Sequence, residues 1–376
     1  MRAFRIGSPG RHAVLDLPTP RPAPGEILVA PEAVGVCGSD LELAAGRRPA
    51  GYARYPIVPG HEWSGRVIGL GTGVHGLELG MPVVAEGVRS CAQCVRCKEG
   101  RPNLCSGDYA ETGFTHPGAL AEALTVPAAL VHPLPEHRPL APAALLEPAA
   151  CVANALLESG LSDTGLPEPS ARVAVVGDGP LGLIAVGLLR LCEPRELVAF
   201  GRLPDRAGRA AACGATGWAL RATGAEPDWR GRFDLVVEAT NRPEGARTAL
   251  RVARRGGTVL LLGISGAGRA ALDPDLISLG QLRVQGGFSA APRAWDWTVA
   301  QYAAGTFDPA PLITHRFPLE RTGQALALVA ERRPGVVKVL VSPNAVGRPA
   351  GPPAPGPATR TRPPGPGRPA SPASTR

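Results

Sequence analysis

The sequence ARVAVVGDGPLG, residues 171–182, decides the fold of this 376-residue chain. Its apolar first half, residues 171–176, predicts a buried β-strand. The glycines of the second half allow a tight turn into an apolar helix and a close approach of backbone to ligand. Free N–H groups at the start of such a helix bind pyrophosphate, so we expect a dinucleotide site rather than a glycine turn without a ligand. The candidate cofactor-binding residues are Gly177, Gly179, Pro180, Leu181 and Gly182.

Further strand-like runs follow this turn, at residues 197–200, residues 234–237 and, after a Gly-Gly pair, residues 258–263. Helix-like segments separate them. Strands that alternate with helices predict a parallel α/β sheet. We therefore expect a doubly wound Rossmann domain over residues 151–290.

The end of the second of these strands indicates which dinucleotide is bound. NAD-binding sheets usually place an acidic residue there, which binds the ribose 2′-hydroxyl. Here Gly201 stands at that place, followed by Arg202 and Arg206. Glycine leaves room for a 2′-phosphate, and arginine can bind a phosphate through two hydrogen bonds. The sequence predicts a preference for NADP(H), with NAD(H) as the alternative if Arg202 is only a solvated surface charge.

The first 150 residues have a different pattern, in which prolines and glycines separate short apolar runs roughly every 8–12 residues. This spacing is typical of an all-β, barrel-like domain. Near the other end of the chain, residues 291–342 contain one helix-like stretch and a strand at residues 336–341. We expect this segment to return to the first domain.

The net charge of +8 is unevenly distributed. Residues 343–376 contain five arginines, eleven prolines and no acidic residue, which leaves a charge of only +3 for the rest of the chain. Such a tail cannot bury enough apolar surface to offset its ordering entropy, so we expect it to be disordered. No aromatic residues are interleaved with its arginines, so we do not expect nucleic-acid binding. No apolar run reaches transmembrane length, and we expect a soluble cytoplasmic protein without a membrane partner.

Four cysteines form a C-x2-C-x2-C-x7-C pattern in a loop of residues 90–106. Thiolates at this spacing can reach one metal ion, and four of them complete the closed tetrahedral shell that Zn²⁺ prefers in structural sites. The loop could not form a packed core alone, so a metal would hold its shape. The alternative is two disulfides, but the N-terminus does not resemble a signal peptide that would lead to an oxidising compartment. The predicted ligands of the structural zinc are Cys91, Cys94, Cys97 and Cys105.

Two more residues of metal-binding type lie in the first domain: Cys37 within Gly-Val-Cys-Gly-Ser-Asp, and His61 within Gly-His-Glu-Trp-Ser-Gly. Each follows a predicted strand, and the neighbouring glycines let the two side chains converge at a cleft. With the cysteine loop and the nucleotide fold downstream, these motifs resemble the zinc-dependent medium-chain alcohol and polyol dehydrogenases over roughly residues 1–342. The resemblance implies a GroES-like, β-barrel-like catalytic domain beside the Rossmann domain, and a homodimer or homotetramer.

The resemblance also implies a catalytic zinc bound by Cys37, His61 and Glu147, the last in a Glu-Pro pair that is typical of polyol and sugar dehydrogenases. Cys151 is a rival for the third position. Glu62 matches an acidic neighbour that can approach the metal, although a role as a hydrogen-bond partner that orients the site is an equal alternative. Such a zinc makes a bound alcohol more acidic, so that its proton leaves near neutral pH while hydride passes to the nicotinamide.

A proton path is implied as well. Ser39 matches the relay hydroxyl of the family, which passes the alcohol proton onward. Three positions later the family often has a histidine, whereas this chain has Glu42. The outer part of the path would then use Glu42 or water.

More narrowly, three segments resemble the 2-deoxy-scyllo-inosamine dehydrogenases of aminoglycoside antibiotic biosynthesis: residues 55–65, residues 112–119 and residues 146–155. These enzymes oxidise a ring hydroxyl of an aminocyclitol, a polyhydroxylated small molecule. The ammonium group of such a substrate could meet an acid such as Glu42 or Glu122. Two alternatives are a sorbitol-like polyol, sugar or general secondary-alcohol dehydrogenase, and a zinc- and nucleotide-binding protein without turnover.

Overall fold

A computed structural model of the chain describes residues 1–161, 166–220, 229–264 and 271–344. It confirms the fold class, a β-rich GroES-like domain joined to a doubly wound parallel sheet. Of the tail predicted to be disordered, residues 345–376 lie outside the described residues. Within the described part, no helix combines the length and the apolar character needed to cross a membrane.

The first domain consists of short strands, as the spacing of prolines and glycines predicts. Its strands are β1 (Arg2–Ser8), β2 (Arg11–Asp16), β3 (Glu26–Val36), β4 (Glu62–Leu70), β5 (Pro82–Ala85), β6 (Leu124–Pro127) and β7 (Val131–Pro133). Three short helices, α1 (Gly38–Ala44), α2 (Val95–Lys98) and α3 (Leu140–Ala143), lie between or after them. β1 pairs with β2, while β3, β4, β5 and β7 form successive antiparallel pairs and β6 pairs with β3.

The pairing of β3 with β4 brings distant parts of the sequence together. The two strands are antiparallel, with Gly35 opposite Glu62. The last residues of β3 therefore lie beside the first residues of β4. Cys37 immediately follows β3 and His61 immediately precedes β4. The pairing of the two strands therefore places both residues at the same end of this strand pair.

The second domain alternates helices and strands. It comprises α4 (Leu146–Leu157), β8 (Arg172–Val176), α5 (Pro180–Leu189), β9 (Glu196–Gly201), α6 (Ala207–Ala212), β10 (Gly217–Leu220), β11 (Phe233–Glu238), α7 (Pro243–Val252), β12 (Ala253–Leu261), α8 (Pro274–Gly280) and β13 (Arg283–Gly286). All strand pairs are parallel, in the order β10-β9-β8-β11-β12-β13. This order reverses between β8 and β11, where dinucleotides bind in such sheets.

The returning segment contains more structure than its sequence indicates. It forms α9 (Pro292–Ala304), β14 (Ile313–Pro318), α10 (Thr322–Glu331) and β15 (Lys338–Ser342), whereas we expected one helix and one strand. β14 was missed because its alternation is weak and most of its residues are only partly buried. β15 pairs antiparallel with β3, and β14 pairs with β15, so the segment extends the catalytic sheet.

Candidate metal and cofactor sites

Three metal-binding side chains converge where β3 ends and β4 begins. One ligand atom from each of Cys37, His61 and Glu62 lies within 4.8 Å of the other two. His61 and Glu62 are 5% and 1% exposed, so the group lies in the interior at the base of a cleft. A thiol, an imidazole and a carboxylate form a donor set suited to Zn²⁺.

Asp40, which sequence reasoning missed, orients this group. Its Oδ2 accepts a hydrogen bond from the backbone N–H of Cys37 at 2.9 Å. Its Oδ1 lies 3.6 Å from Nδ1 of His61, which leaves the opposite ring nitrogen, Nε2, to face the metal. Ser39 Oγ is 3.4 Å from that Nε2, so the hydroxyl lies beside the predicted metal ligands, and its relay role stays a prediction. The available signal was the Cys-Gly-Ser-Asp sequence, in which the acid opens α1.

Lys338 holds Glu62 from the other side. The two side chains form an ion pair and are 3% and 1% exposed. The carboxylate fits because Gly35 lies opposite it, where a β-carbon would collide with Oε2 of Glu62. Burial lowers the pKa of Lys338, but Glu62 and Cys37 outweigh burial and raise it above its usual value. No sequence signal indicated this lysine, because it arrives on β15 from the far end of the chain.

Glu147 lies near this group but outside the trio. It is in the first turn of α4, and its Oε1 accepts a hydrogen bond from the Cys151 thiol, with a sulfur–oxygen distance of 3.5 Å. Burial, opposed by His61 and reinforced by Glu62 and Glu111, raises the pKa of Glu147 to about 7. Glu147 and Cys151, the two candidates for the third zinc ligand, thus contact each other, and the assignment of Glu147 remains a prediction.

The electrostatics of the trio fit a divalent cation. Burial acts to lower the pKa of His61, but Asp40 and Cys37 together hold it well above its usual value. Surroundings that favour a positive imidazolium also favour a metal ion among the same groups. When bound there, Zn²⁺ supplies Lewis-acid chemistry to an alcohol oxygen. The chain itself supplies the orientation, through Asp40 and Lys338, and a neighbouring hydroxyl, Ser39.

The four cysteines of the loop also converge, as their spacing predicts. All four sulfur atoms lie within 4.8 Å of one another, with 3.5 Å between Cys94 and Cys97. These distances exclude a disulfide, whose sulfur atoms are about 2 Å apart, and all four are free cysteines. Backbone N–H groups of Ser106 and Cys97 lower the pKa of Cys94 to about 5, which favours the thiolate that binds metal. The group fits a closed Zn²⁺ site.

The glycine turn after β8 has the geometry of a nucleotide site. Gly177 has φ of +125°, which favours glycine. A β-carbon at Gly182 would collide with the carbonyl oxygen of Gly177, so the third glycine lets α5 pack against the turn. Pro180 and Leu181 begin α5 directly after the turn, with no side-chain cap at Gly179. Pro180 has no N–H group, so the other N–H groups of the first turn would bind a pyrophosphate.

The end of β9 differs from the sequence interpretation in two respects. The space above Gly201 is filled by the Asp178 carboxylate, whose Oδ2 accepts hydrogen bonds from the N–H groups of Arg202 at 3.1 Å and Leu203 at 3.5 Å. Arg206 is buried and donates hydrogen bonds to the Asp178 carbonyl at 2.8 Å and the Val336 carbonyl at 2.6 Å. Arg206 is therefore structural and is not available to a phosphate. Arg202 is exposed at the expected place.

The two acids considered for a substrate ammonium group each have an arginine partner in the structure. Glu42 forms two hydrogen bonds with Arg47, at 2.8 and 3.0 Å. Glu122 binds Arg2 at the side of the catalytic domain, with a nitrogen–oxygen distance of 2.7 Å. Each acid is neutralised by its own arginine. Whether Glu42 or water forms the outer part of the proton path stays a prediction.

The metal trio lies against the nucleotide domain. Asn241 follows β11, and a β-carbon on Gly38, next to Cys37, would lie 3.5 Å from its Nδ2. The carboxyl ends of the parallel strands, where a dinucleotide binds, thus meet the trio across a cleft. Fold and site together define a two-domain dehydrogenase in which a metal centre adjoins the cofactor cleft.

Comparisons with known proteins give the same class. Residues 23–136 match the family description "Alcohol dehydrogenase GroES-like domain", and residues 141–342 match "Glucose dehydrogenase C-terminus". An L-threonine 3-dehydrogenase of Stenotrophomonas maltophilia is 30% identical over 88% of this chain and 95% of its own length. The chain belongs to the zinc-dependent medium-chain alcohol and polyol dehydrogenase family.

Two solved structures resemble the whole described fold. A protein of Sinorhizobium meliloti, assigned to the zinc-binding dehydrogenases and solved with NADP, has a TM-score of 0.82 at 28% identity and covers 91% of this chain and 99% of its own. RspB of Escherichia coli, solved with NADH, has a TM-score of 0.83 at 25% identity with the same coverage of both chains. The first relative was solved with NADP and the second with NADH. The chain is therefore an NAD(P)-linked enzyme, and these relatives do not indicate which of the two cofactors it prefers.

Proposed function

We propose that the chain oxidises a ring hydroxyl of a cyclitol or aminocyclitol, such as 2-deoxy-scyllo-inosamine, with transfer of hydride to NADP⁺. The observation that carries the reaction is the position of Cys37, His61 and Glu62 across the cleft from the carboxyl end of β11. An alcohol held at this trio would be near the strand ends at which such sheets bind a dinucleotide, as hydride transfer requires. Support for the ring substrate comes from the sequence resemblance, and a general polyol or secondary-alcohol dehydrogenase is the second candidate.

Each residue of the site has a separate role in the proposed reaction. Cys37 and His61 hold the metal, and we assign Glu147 as the third ligand. Ser39, next to His61 Nε2, accepts the alcohol proton and passes it to water. Glu62, held by Lys338, would keep a carboxylate beside Cys37 and His61, where it could orient the site or serve as a further ligand.

A substrate panel tests the reaction class and the substrate together. The zinc-loaded enzyme is assayed with 2-deoxy-scyllo-inosamine, scyllo-inositol, sorbitol, L-threonine and 2-propanol, each with NAD⁺ and NADP⁺. We expect the highest kcat/KM for the ring substrates. A higher value for sorbitol or 2-propanol would select the general dehydrogenase. Stoichiometric zinc and cofactor binding without turnover of any alcohol, or of a ketone in the reverse direction, would instead indicate a binding protein.

The NADP(H) preference rests on Arg202, since Asp178 now explains Gly201. We expect Arg202→Ala to lower kcat/KM for NADP⁺ about 10- to 100-fold, the usual range for one charged hydrogen-bond partner, and to leave NAD⁺ nearly unchanged. Asp178→Asn, which removes a negative charge but keeps an acceptor for the Arg202 N–H, should raise the NADP⁺ to NAD⁺ ratio. Steady-state kinetics with both cofactors measures these changes. A wild-type enzyme that uses NAD⁺ more efficiently would refute the preference.

We also propose a homodimer or homotetramer formed through β13. This strand lies at the edge of the parallel sheet and pairs only with β12 among the described strands. Val284 on β13 and Leu279 on the adjacent α8 are 37% and 73% exposed. An apolar, unpaired edge is a surface that natural proteins cover. Light scattering should give two or four times the chain mass, and a monomer at micromolar concentration would contradict the assembly.

A further inference from the structure

One buried acid near the metal trio, Glu111, has no hydrogen-bond or ion-pair partner for its carboxylate among the side chains that the structure describes. Glu111 is 6% exposed, and among the described residues its carboxylate accepts no hydrogen bond and has no cation within 4.0 Å. Burial raises its pKa to about 7, as expected for a carboxyl group without a close counter-ion. Burying such a group has a free-energy cost that a ligand with a complementary charge would offset.

Glu111 is held rigidly, close enough to His61 and Glu147 for the charges of these groups to affect one another's pKa. The backbone on either side of it is hydrogen-bonded to a neighbouring segment, from the Arg89 N–H to the Ala110 carbonyl at 2.7 Å and from the Thr112 N–H to the Gly87 carbonyl at 3.0 Å. Its own N–H donates to Oγ1 of Thr115 at 2.8 Å. These bonds fix the carboxylate above Gly87, where a β-carbon would lie 3.1 Å from Oε1.

The same loop forms one wall of the cleft at His61. Gly113 packs on the backbone of Gly60, and Phe114 lies with its ring centre 4.7 Å from that of His61. Arg48 lies over the Phe114 ring, with its guanidinium carbon 3.9 Å from the ring centre. The loop that carries Glu111 therefore lines the space next to the metal.

Arg48, an arginine whose charge acts on Glu111, already has other partners. Its Nη2 lies 3.3 Å from the Tyr109 hydroxyl, its Nε donates to the Tyr52 carbonyl at 3.3 Å, and its guanidinium stacks on Phe114. It makes no ion pair with Glu111 within 4.0 Å in the described structure. This side of the cleft therefore consists of the Phe114 ring, the Arg48 guanidinium with its own partners, and the unpaired Glu111 carboxyl group.

We propose that Glu111 is a specificity-determining residue that binds the protonated amino group of a substrate whose hydroxyl is held at Cys37 and His61. The substrate class is an amino alcohol, in which ammonium and reacting carbinol belong to one small molecule. This inference rests on the proposed function and deepens it, because it gives the amino group of an aminocyclitol an unpaired acid as its partner, whereas Glu42 and Glu122 each pair with an arginine. The bond is a charge-assisted hydrogen bond from ammonium to carboxylate.

Glu111→Gln tests the proposal, because it removes the charge and preserves the shape. The probes are a matched pair, 2-deoxy-scyllo-inosamine and the cyclitol with hydroxyl in place of its amine, with L-threonine as an acyclic amino alcohol. We expect kcat/KM for the amine to fall about 10- to 100-fold, mainly through KM, and that for the hydroxyl analogue to change less than about threefold. Glu42→Gln, an acid paired with Arg47, is the control and should affect neither probe.

The outcomes separate this inference from the proposed function. Equal losses for amine and hydroxyl substrates, or no loss for either, would overturn the role of Glu111 while the dehydrogenase activity stands. If wild-type enzyme oxidises neither probe, the proposed substrate is wrong. The role of Glu111 is then tested separately by calorimetry, which measures the affinity of the zinc- and NADPH-loaded protein for the amine and for its hydroxyl analogue. The role is supported if wild type binds the amine more tightly than the hydroxyl analogue and Glu111→Gln abolishes this difference. It is refuted if wild type binds the two probes equally. Zinc content and Tm of the variant should match wild type.

Discussion

Replacing Cys37 by serine should abolish turnover while the fold survives. Cys37 is one of three converging donors, and its thiolate is the strongest zinc ligand among them. Without it the remaining imidazole and carboxylates hold the metal weakly. Loss of Lewis-acid catalysis, which supplies several kcal/mol, corresponds to a decrease of about a thousandfold or more in kcat/KM. Kinetics together with metal analysis should show this loss and one zinc ion fewer per chain.

The control for Cys37→Ser is Cys192→Ser, which changes a partly buried cysteine outside both metal groups. It should retain activity and zinc. The Tm of Cys37→Ser is expected to stay near wild type, because Cys37 caps only the short helix α1. Full activity of Cys37→Ser would refute the catalytic assignment, and collapse of its Tm would show that the site is needed for folding.

Cys94→Ser should instead destabilise the protein. The segment of residues 91–105 has little apolar interior, and a closed metal shell supplies much of its folding free energy. A loss of about 3–5 kcal/mol would lower Tm by roughly 4–6 °C, because a protein of this size unfolds with an entropy of about 0.8 kcal/mol/K. Because four thiolates leave no open coordination position, the molecules that remain folded should keep their activity. Calorimetry, metal analysis and active-site titration measure the three quantities.

Cys213→Ser is the matched control for Cys94→Ser, since Cys213 is partly buried and belongs to neither metal group. It should leave zinc content unchanged. The prediction is contradicted if Cys94→Ser keeps wild-type Tm and zinc. It is also contradicted if the well-folded, assembled Cys94→Ser variant loses turnover, because the four-cysteine loop would then be needed for catalysis.

Local patterns predicted most of the fold and both metal groups. The glycine turn at residues 177–182 and the four-cysteine spacing encode their geometry over a few residues, so periodicity and spacing were sufficient. Cys37 and His61 were recognisable because each lies at a strand end between glycines. These features need no knowledge of which strands pair.

Features that depend on long-range pairing could not be predicted. Lys338 reaches Glu62 only because β15 pairs with β3, which no local pattern specifies. The Asp178 side chain lies at the end of β9, where a β-carbon on Gly201 would collide with it. The sequence of β9 alone does not reveal this reason for a glycine. Glu111 had the appearance of an ordinary loop acid, and only its burial without a partner distinguishes it from Glu42 and Glu122.

The pairing of β15 with β3 also has a consequence for biosynthesis. Glu62 is made early on the ribosome, whereas Lys338 emerges only when nearly the whole described chain has been translated. Until then the buried carboxylate lacks its counter-ion and the catalytic sheet lacks an inner strand. Non-local pairing of this kind folds slowly. A nascent or truncated chain that ends before residue 338 should therefore remain inactive, and synthesis itself keeps an incomplete redox enzyme from acting.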